Sequence, residues 1–206
     1  MRPGFVSFRI YGAVAAACLA SAVVSAGSMI VLHGMGGLET RYVMAFVSVP
    51  YVIGTVALSL SGSVRMRPGW NSFLVSSGVG RKEVMLSLHA PALAIHLSVS
   101  IFFAAASFLF PERIGIVVLA CACIALAVSV LAAAVGIASY SMSGSSLMAD
   151  LSGVVAPMVL AMASYLSFVD GAPADIGLPL MCLVASFAIV AMCLKASINC
   201  FRRLDL

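Results

Sequence analysis

Charge is what this sequence has least of. Only 9% of its 206 residues are Asp, Glu, Lys or Arg, while 63% are hydrophobic. Soluble domains carry about 25% charged residues, so a water-soluble globular fold is excluded. Catalytic signatures are missing as well. There is no G-x-x-x-x-G-K-[ST] phosphate loop, so the chain cannot hydrolyse nucleotide by itself. No His-Glu-x-x-His occurs, no apolar run holds two acids, and no histidine follows His96. Those absences remove the metal, aspartyl and serine forms of intramembrane protease. The nearest approaches to a nucleophile are Gly136-Ile137-Ala138-Ser139 and Ser143-Gly144. The apolar runs contain almost no ionisable group, which argues against a proton- or sodium-driven pump with an intramembrane relay. If the protein moves anything uphill, its energy comes from elsewhere.

What the sequence does have is hydrophobic length. Six apolar runs, Ile10–Leu32, Val43–Val64, Leu88–Phe110, Ile114–Tyr140, Leu151–Val169 and Leu178–Cys200, fill nearly the whole chain. At about 1.5 Å per residue each run covers a hydrocarbon core of roughly 30 Å, allowing for tilt. The expected fold is an all-α polytopic membrane protein, a single domain over residues 1–206 with six transmembrane helices. Pro50 and Pro157 interrupt two of the spans, and Pro50 is a candidate kink. The start resembles a secretory signal, with Arg2 and Arg9 before an apolar run and a small-residue site at Val24-Ser25-Ala26. That run continues to Leu32, so a retained first span is expected.

The few charges are placed unevenly. Arg2, Arg9, Arg65, Arg67, Arg81, Lys82, Lys195, Arg202 and Arg203 fall on one side of the implied membrane, and only Arg41 and Arg113 on the other. Glu39, Glu112, Asp170 and Asp175 sit opposite the basic side. Basic loops stay in the cytoplasm, so both termini and the 65–87 loop are expected there. All six cysteines lie within spans, which disfavours a disulfide framework, and Cys121 and Cys123 point to different helix faces. His89 and His96 share a face but stand roughly 10 Å apart along the axis, too far for one metal ion. His89 reads as a polar residue at the membrane edge and His96 as a hydrogen-bonded packing histidine. Small residues four apart, Ala13/Ala17, Ala16/Ala20, Ser129/Ala133 and Ala134/Ala138, allow close helix approach.

The longest polar break, 65–87, is the best candidate for an interaction device. Arg67-Pro68-Gly69 stops the preceding helix. Trp70, Phe73 and Leu74 then stand at i, i+3 and i+4, one apolar stripe on a short helix lying along the membrane surface. Ser76-Ser77-Gly78-Val79-Gly80 breaks it, and Arg81-Lys82-Glu83 restarts a helix that runs into the third span. Ser141–Asp150 forms a smaller cytoplasmic break.

This order of parts resembles the permease subunit of the type-2 ABC exporter family. The stretch from Asn71 to Leu86 is similar to that family's coupling helix: an apolar pair, a serine, a small-residue break, basic residues, an acid, then span three. Gly78 stands where the family usually has proline, and the acid often found before the apolar pair is missing. Pro157, the Asp170–Pro179 segment and the Asn199–Leu206 tail agree with the family's ending. The resemblance implies a non-enzymatic subunit of an exporter for an amphipathic or hydrophobic peptide, drug or lipid. ATP and Mg would bind two partner ATPase subunits, with no cofactor in this chain, and a second permease, identical or different, would complete the complex. The implied ATPase contacts are Trp70, Asn71, Phe73, Leu74, Ser77, Gly78, Arg81, Lys82, Glu83, Ser143 and Ser145. Membrane lipids are the other partner, nucleic acid is not one, and the cell membrane, of the bacterial inner or cytoplasmic type, is the expected location. No substrate ligand is named. The alternative is the substrate-binding membrane subunit of a vitamin uptake transporter, whose first-span Ala13/Ala17 pair would pack against a partner; a third class is a non-transporting immunity or assembly protein.

Overall fold

The computed structural model describes residues 3–65, 80–143 and 176–201, together with residues 76, 78, 151, 154–155 and 158–162. Five long helices account for nearly all of these: α1 (Pro3–Gly34), α2 (Thr40–Arg65), α3 (Arg81–Ser107), α4 (Glu112–Ser143) and α5 (Gly177–Phe201). Each is long and apolar enough to cross a membrane. Of the expected fifth span, 151–169, residues 151, 154–155 and 158–162 are helical and the rest lie outside the described residues. The protein is therefore an all-α polytopic membrane protein.

A bilayer offers the backbone no water, so helices that close their own hydrogen bonds are the stable solution. Several side-chain hydroxyls follow the same rule, while among the described residues Ser129 Oγ is buried without a hydrogen-bond partner. Ser21 donates to the Cys18 carbonyl at 2.8 Å, Ser98 to Ala94 at 2.9 Å, Ser186 to Cys182 at 2.7 Å and Ser197 to Cys193 at 2.7 Å. Each satisfies itself on its own helix three or four residues back. Helix α2 runs through Pro50 and α3 through Pro91 without ending. Third-span helix also begins earlier than the apolar run, at Arg81 rather than Leu88, because the polar first turns stay helical outside the hydrocarbon.

Helix α3 touches all four of the others, while α4 packs on α2, α3 and α5, and α1 packs on α2 and α3. Burial ranks the helices: 61% of the best apolar window of α4 is buried, against 28% for α1 and 11% for α5. Helix α4 is thus the interior rod. Helix α5 turns Leu178, Met181, Val184 and Met192 outward, a face suited to lipid and costly in water. The main core joins Cys18 and Met29 of α1, Met44, Val47 and Tyr51 of α2, Val99 and Phe103 of α3, Cys121 and Leu126 of α4, and Leu160. A smaller cluster, Val84, Met85 and Leu88 of α3 with Ile137 and Tyr140 of α4, lies against Ile198 of α5. That second cluster puts the start of α3 beside the ends of α4 and α5.

The α3–α4 corner is the tightest connection. Leu109 N–H bonds Ala106 O at 3.0 Å, Phe110 N–H bonds Ser107 O at 3.2 Å, and Gly115 N–H bonds Pro111 O at 2.9 Å. A Cβ on Gly115 would lie 2.7 Å from the Ser107 carbonyl oxygen. That oxygen is backbone and cannot swing aside. Gly115→Ala is therefore expected to destabilise the fold by about 1–3 kcal/mol, the usual cost of overpacking. Thermal unfolding in detergent would measure this, and an unchanged midpoint would mean that the corner can open without cost.

Candidate functional site

Three places carry polar chemistry against this apolar background. The first is a buried cluster where α1, α2 and α3 cross. Gly54 leaves the space that it needs, since a Cβ there would meet Cys18 Sγ at 3.1 Å and His96 Nε2 at 3.2 Å. His96 is fully buried. Its Nδ1 lies 2.7 Å from the Ala92 carbonyl, which can only accept, so Nδ1 carries the proton. Nε2 lies 3.3 Å from Thr55 Oγ1, while Thr55 donates to the Tyr51 carbonyl at 2.8 Å. The shorter bond holds the single threonine proton. Ser100 donates to the His96 carbonyl at 3.0 Å, leaving its oxygen to accept from the Tyr51 hydroxyl at 2.6 Å. The Tyr51 ring stacks on His96, with centroids 6.0 Å apart and planes 9° from parallel, and on Phe103 at 6.4 Å. Among the described residues no carboxylate belongs to this cluster; Tyr51 and Ser100 answer one another, while the His96 Nε2 lone pair faces Thr55 Oγ1, whose proton is already given to the Tyr51 carbonyl. The cluster fastens three helices together, as expected of a hydrogen-bonded packing histidine.

The second place is a cavity of ≈ 160 Å³ between α3, α4 and α5. Its wall is almost wholly apolar, with Ala90, Ala92, Ala133 and Ala134 among larger aliphatic side chains such as Leu93 and Leu194. His89 is its polar member. Sequence position suggests a membrane-edge residue, yet His89 is 9% exposed, because α4 and α5 close over it. Its Nδ1 lies 3.0 Å from the Met85 carbonyl, and among the described residues Nε2 has no hydrogen-bond partner. Only the tertiary packing reveals this site. The signal in the sequence was a histidine seven residues before another, with alanines facing it from a helix more than forty positions away.

The third place is the end of the bundle that carries the described members of the expected ATPase contacts, Gly78, Arg81, Lys82, Glu83 and Ser143. Trp70, Asn71, Phe73, Leu74, Ser77 and Ser145 lie outside the described residues. Gly78 adopts φ +86, in the region that disfavours every residue with a Cβ. Gly80 caps α3, and its N–H bonds Glu83 Oε2 at 3.2 Å, one half of a capping box. Lys82 and Glu83 are exposed, and Arg81 is the first residue of α3. Ser143 closes α4, and the Val84–Tyr140 cluster brings that helix end beside Arg81–Glu83. Lys195 is exposed on α5 one turn before Ile198 of the same cluster. At the opposite end His33 meets Phe110 edge-on at 6.4 Å, so the α1–α2 turn with Glu39 sits near the α3–α4 turn with Glu112. Among the described residues no group of three His, Cys, Asp or Glu side chains is placed to hold a metal ion.

These features define a polytopic, membrane-embedded helical protein with a small internal cavity and one basic end. No protein-family model, no curated protein and no solved structure matches the chain.

Proposed function

We propose that this chain is the permease subunit of an ATP-binding-cassette exporter, moving an amphipathic or hydrophobic substrate with energy from a separate ATPase. The observation that carries the reading is the basic end of the bundle. Arg81 and Lys82 of α3, the end of α4 and the Lys195 region of α5 adjoin there, beside an interior that holds no carboxylate among the described residues. A bundle so poor in charge has no fuel of its own, and a motor needs a polar surface to push against. The same end is the cytoplasmic one under the basic-loop rule, with both termini on that side. Two ATPase subunits and a second permease, identical or different, would complete the assembly in a bacterial cytoplasmic membrane. Trp70, Phe73 and Leu74 would fill a groove on the motor, with Arg81 and Lys82 against an acidic rim.

The test is purification from the membrane in mild detergent, with identification of what accompanies the chain. A co-purifying ATPase is expected, and Arg81→Glu should lower its substrate-stimulated turnover by about tenfold, the equivalent of ~1.4 kcal/mol of docking. Membrane insertion of the variant should be unaffected. Absence of any ATPase from the intact assembly would refute the exporter reading. A second reading, the substrate-binding subunit of a vitamin uptake system, draws on Ala13 and Ala17, which are both exposed on α1 and free to pack against a partner helix. A tightly bound small vitamin in the same preparation, without an ATPase, would favour it.

A further inference from the structure

The geometry points to the α3–α4–α5 cavity as a binding site for a neutral aliphatic alcohol, the hydroxyl end of an uncharged amphiphile, whose O–H donates a hydrogen bond to His89 Nε2. Three observations meet here. The first is the hydrogen-bond arithmetic of His89. Its Nδ1 faces a carbonyl at 3.0 Å and so holds the ring proton, which leaves Nε2 of the neutral ring as a lone-pair acceptor. Among the described residues nothing donates to it. A buried polar atom left so is costly and uncommon, and it marks a place where something else completes the bond.

The second is the wall. His89 is surrounded by Ala90, Leu93, Ala133, Ala134 and Leu194, and no acid is present to balance an imidazolium. Water suits this space poorly, since a buried water makes about three hydrogen bonds and the wall offers a single side-chain acceptor. A molecule with one O–H and an apolar remainder matches both parts of the surface.

The third is size. A cavity of ≈ 160 Å³ is comparable to one of about 150 Å³ that holds a benzene-sized molecule. The hydroxyl and the first several carbons fit inside. A longer chain leaves through the open side of the cavity between α3, α4 and α5. An acid would bring a charge into an apolar pocket, and an alkane would leave Nε2 unanswered. The assignment stands apart from the exporter reading, because binding needs neither ATP nor a partner.

The experiment uses the full chain in phosphatidylcholine nanodiscs, whose lipid carries no hydroxyl donor. A photoactivatable octan-1-ol with a diazirine on its chain is cross-linked, and the adducts are located by peptide mass spectrometry. Adducts are expected on Leu93 and Leu194, with octan-1-ol displacing the probe at about tenfold lower concentration than methyl octyl ether, which cannot donate. In His89→Leu the two competitors should become equal, and Ala133→Leu, which fills the cavity, should abolish the adducts. Equal competition by alcohol and ether in the wild-type protein, or adducts spread evenly along the lipid-facing helices, would overturn the proposal. The wild-type comparison decides the matter even if a variant fails to fold.

Discussion

Replacing Tyr51 with alanine is expected to produce a large loss of stability, because it empties one of the largest fully buried positions of the bundle. The Tyr51 ring is fully buried, lies parallel to His96 at 6.0 Å and Phe103 at 6.4 Å, and joins α2 to α3. In a bilayer the usual transfer contribution is small, because an unpacked side chain meets lipid instead of water. What remains is the hole. Removing about 100 Å³ at about 24 cal/mol per Å³ gives a cost of about 2–3 kcal/mol. Cys18 supplies the readout, since its thiol is free, fully buried and part of the same core. Each 1.4 kcal/mol is a factor of ten, so thiol modification of Cys18 through transient unfolding should accelerate about fiftyfold.

Tyr51→Phe separates packing from hydrogen bonding in the same place. It removes only the hydroxyl that donates to Ser100, while Ser100 keeps its own bond to the His96 carbonyl at 3.0 Å. Interhelical hydrogen bonds in membranes average about 0.6 kcal/mol, so Cys18 modification should quicken only about threefold. If the phenylalanine and alanine variants react equally fast, the hydroxyl and not the ring joins the helices, and the packing account of this crossing fails.

The helices were legible in the sequence because a bilayer demands something simple of each one. About twenty apolar residues in a row are visible without any knowledge of neighbours. The α3–α4 corner was equally visible as Pro111-Glu112-Arg113, and Arg81-Lys82-Glu83 as the restart of a helix. Packing was far less legible. Helix α4 is apolar all round, so no stripe announces which face meets α2, α3 or α5. His96 could be read as a packing histidine, but not its neighbour Thr55, which stands 41 positions earlier on another helix. His89 looked like a membrane-edge residue because its local sequence includes Ser87 and a short run back to Lys82. Its burial depends on α4 and α5 alanines and leucines that no local pattern can bring to it. The Cys121/Cys123 pair shows the opposite case: spacing alone sets their faces apart, and one is buried while the other is half-buried.

If the proposed ATPase docks at this end of the bundle, Gly78→Pro is expected to uncouple the protein from it while leaving the membrane bundle intact. Proline is the residue that the exporter family commonly carries in this break, so family resemblance alone would judge the change harmless. The backbone says otherwise. Gly78 holds φ at +86, whereas the proline ring fixes φ near −65°, and the two cannot be reconciled without redirecting the chain. Helix α3 is anchored immediately afterwards by its Gly80 cap and the Glu83 carboxylate. The distortion therefore falls on the segment before Gly78, where Trp70, Phe73 and Leu74 are proposed to meet the ATPase. Holding a residue in a disfavoured backbone region costs on the order of 1–3 kcal/mol. If that cost must be met to reach the docked geometry, the docked population falls about tenfold to a hundredfold at 1.4 kcal/mol per tenfold. Substrate-stimulated ATP turnover of the reconstituted complex should fall accordingly. Gly78→Asn should retain most of it, because asparagine tolerates positive φ better than other residues with a Cβ. Cys18 protection should match the wild type in both variants, since Gly78 lies outside the apolar core. Full turnover in Gly78→Pro would mean that this turn does not set the geometry through which the proposed ATPase would act on the bundle.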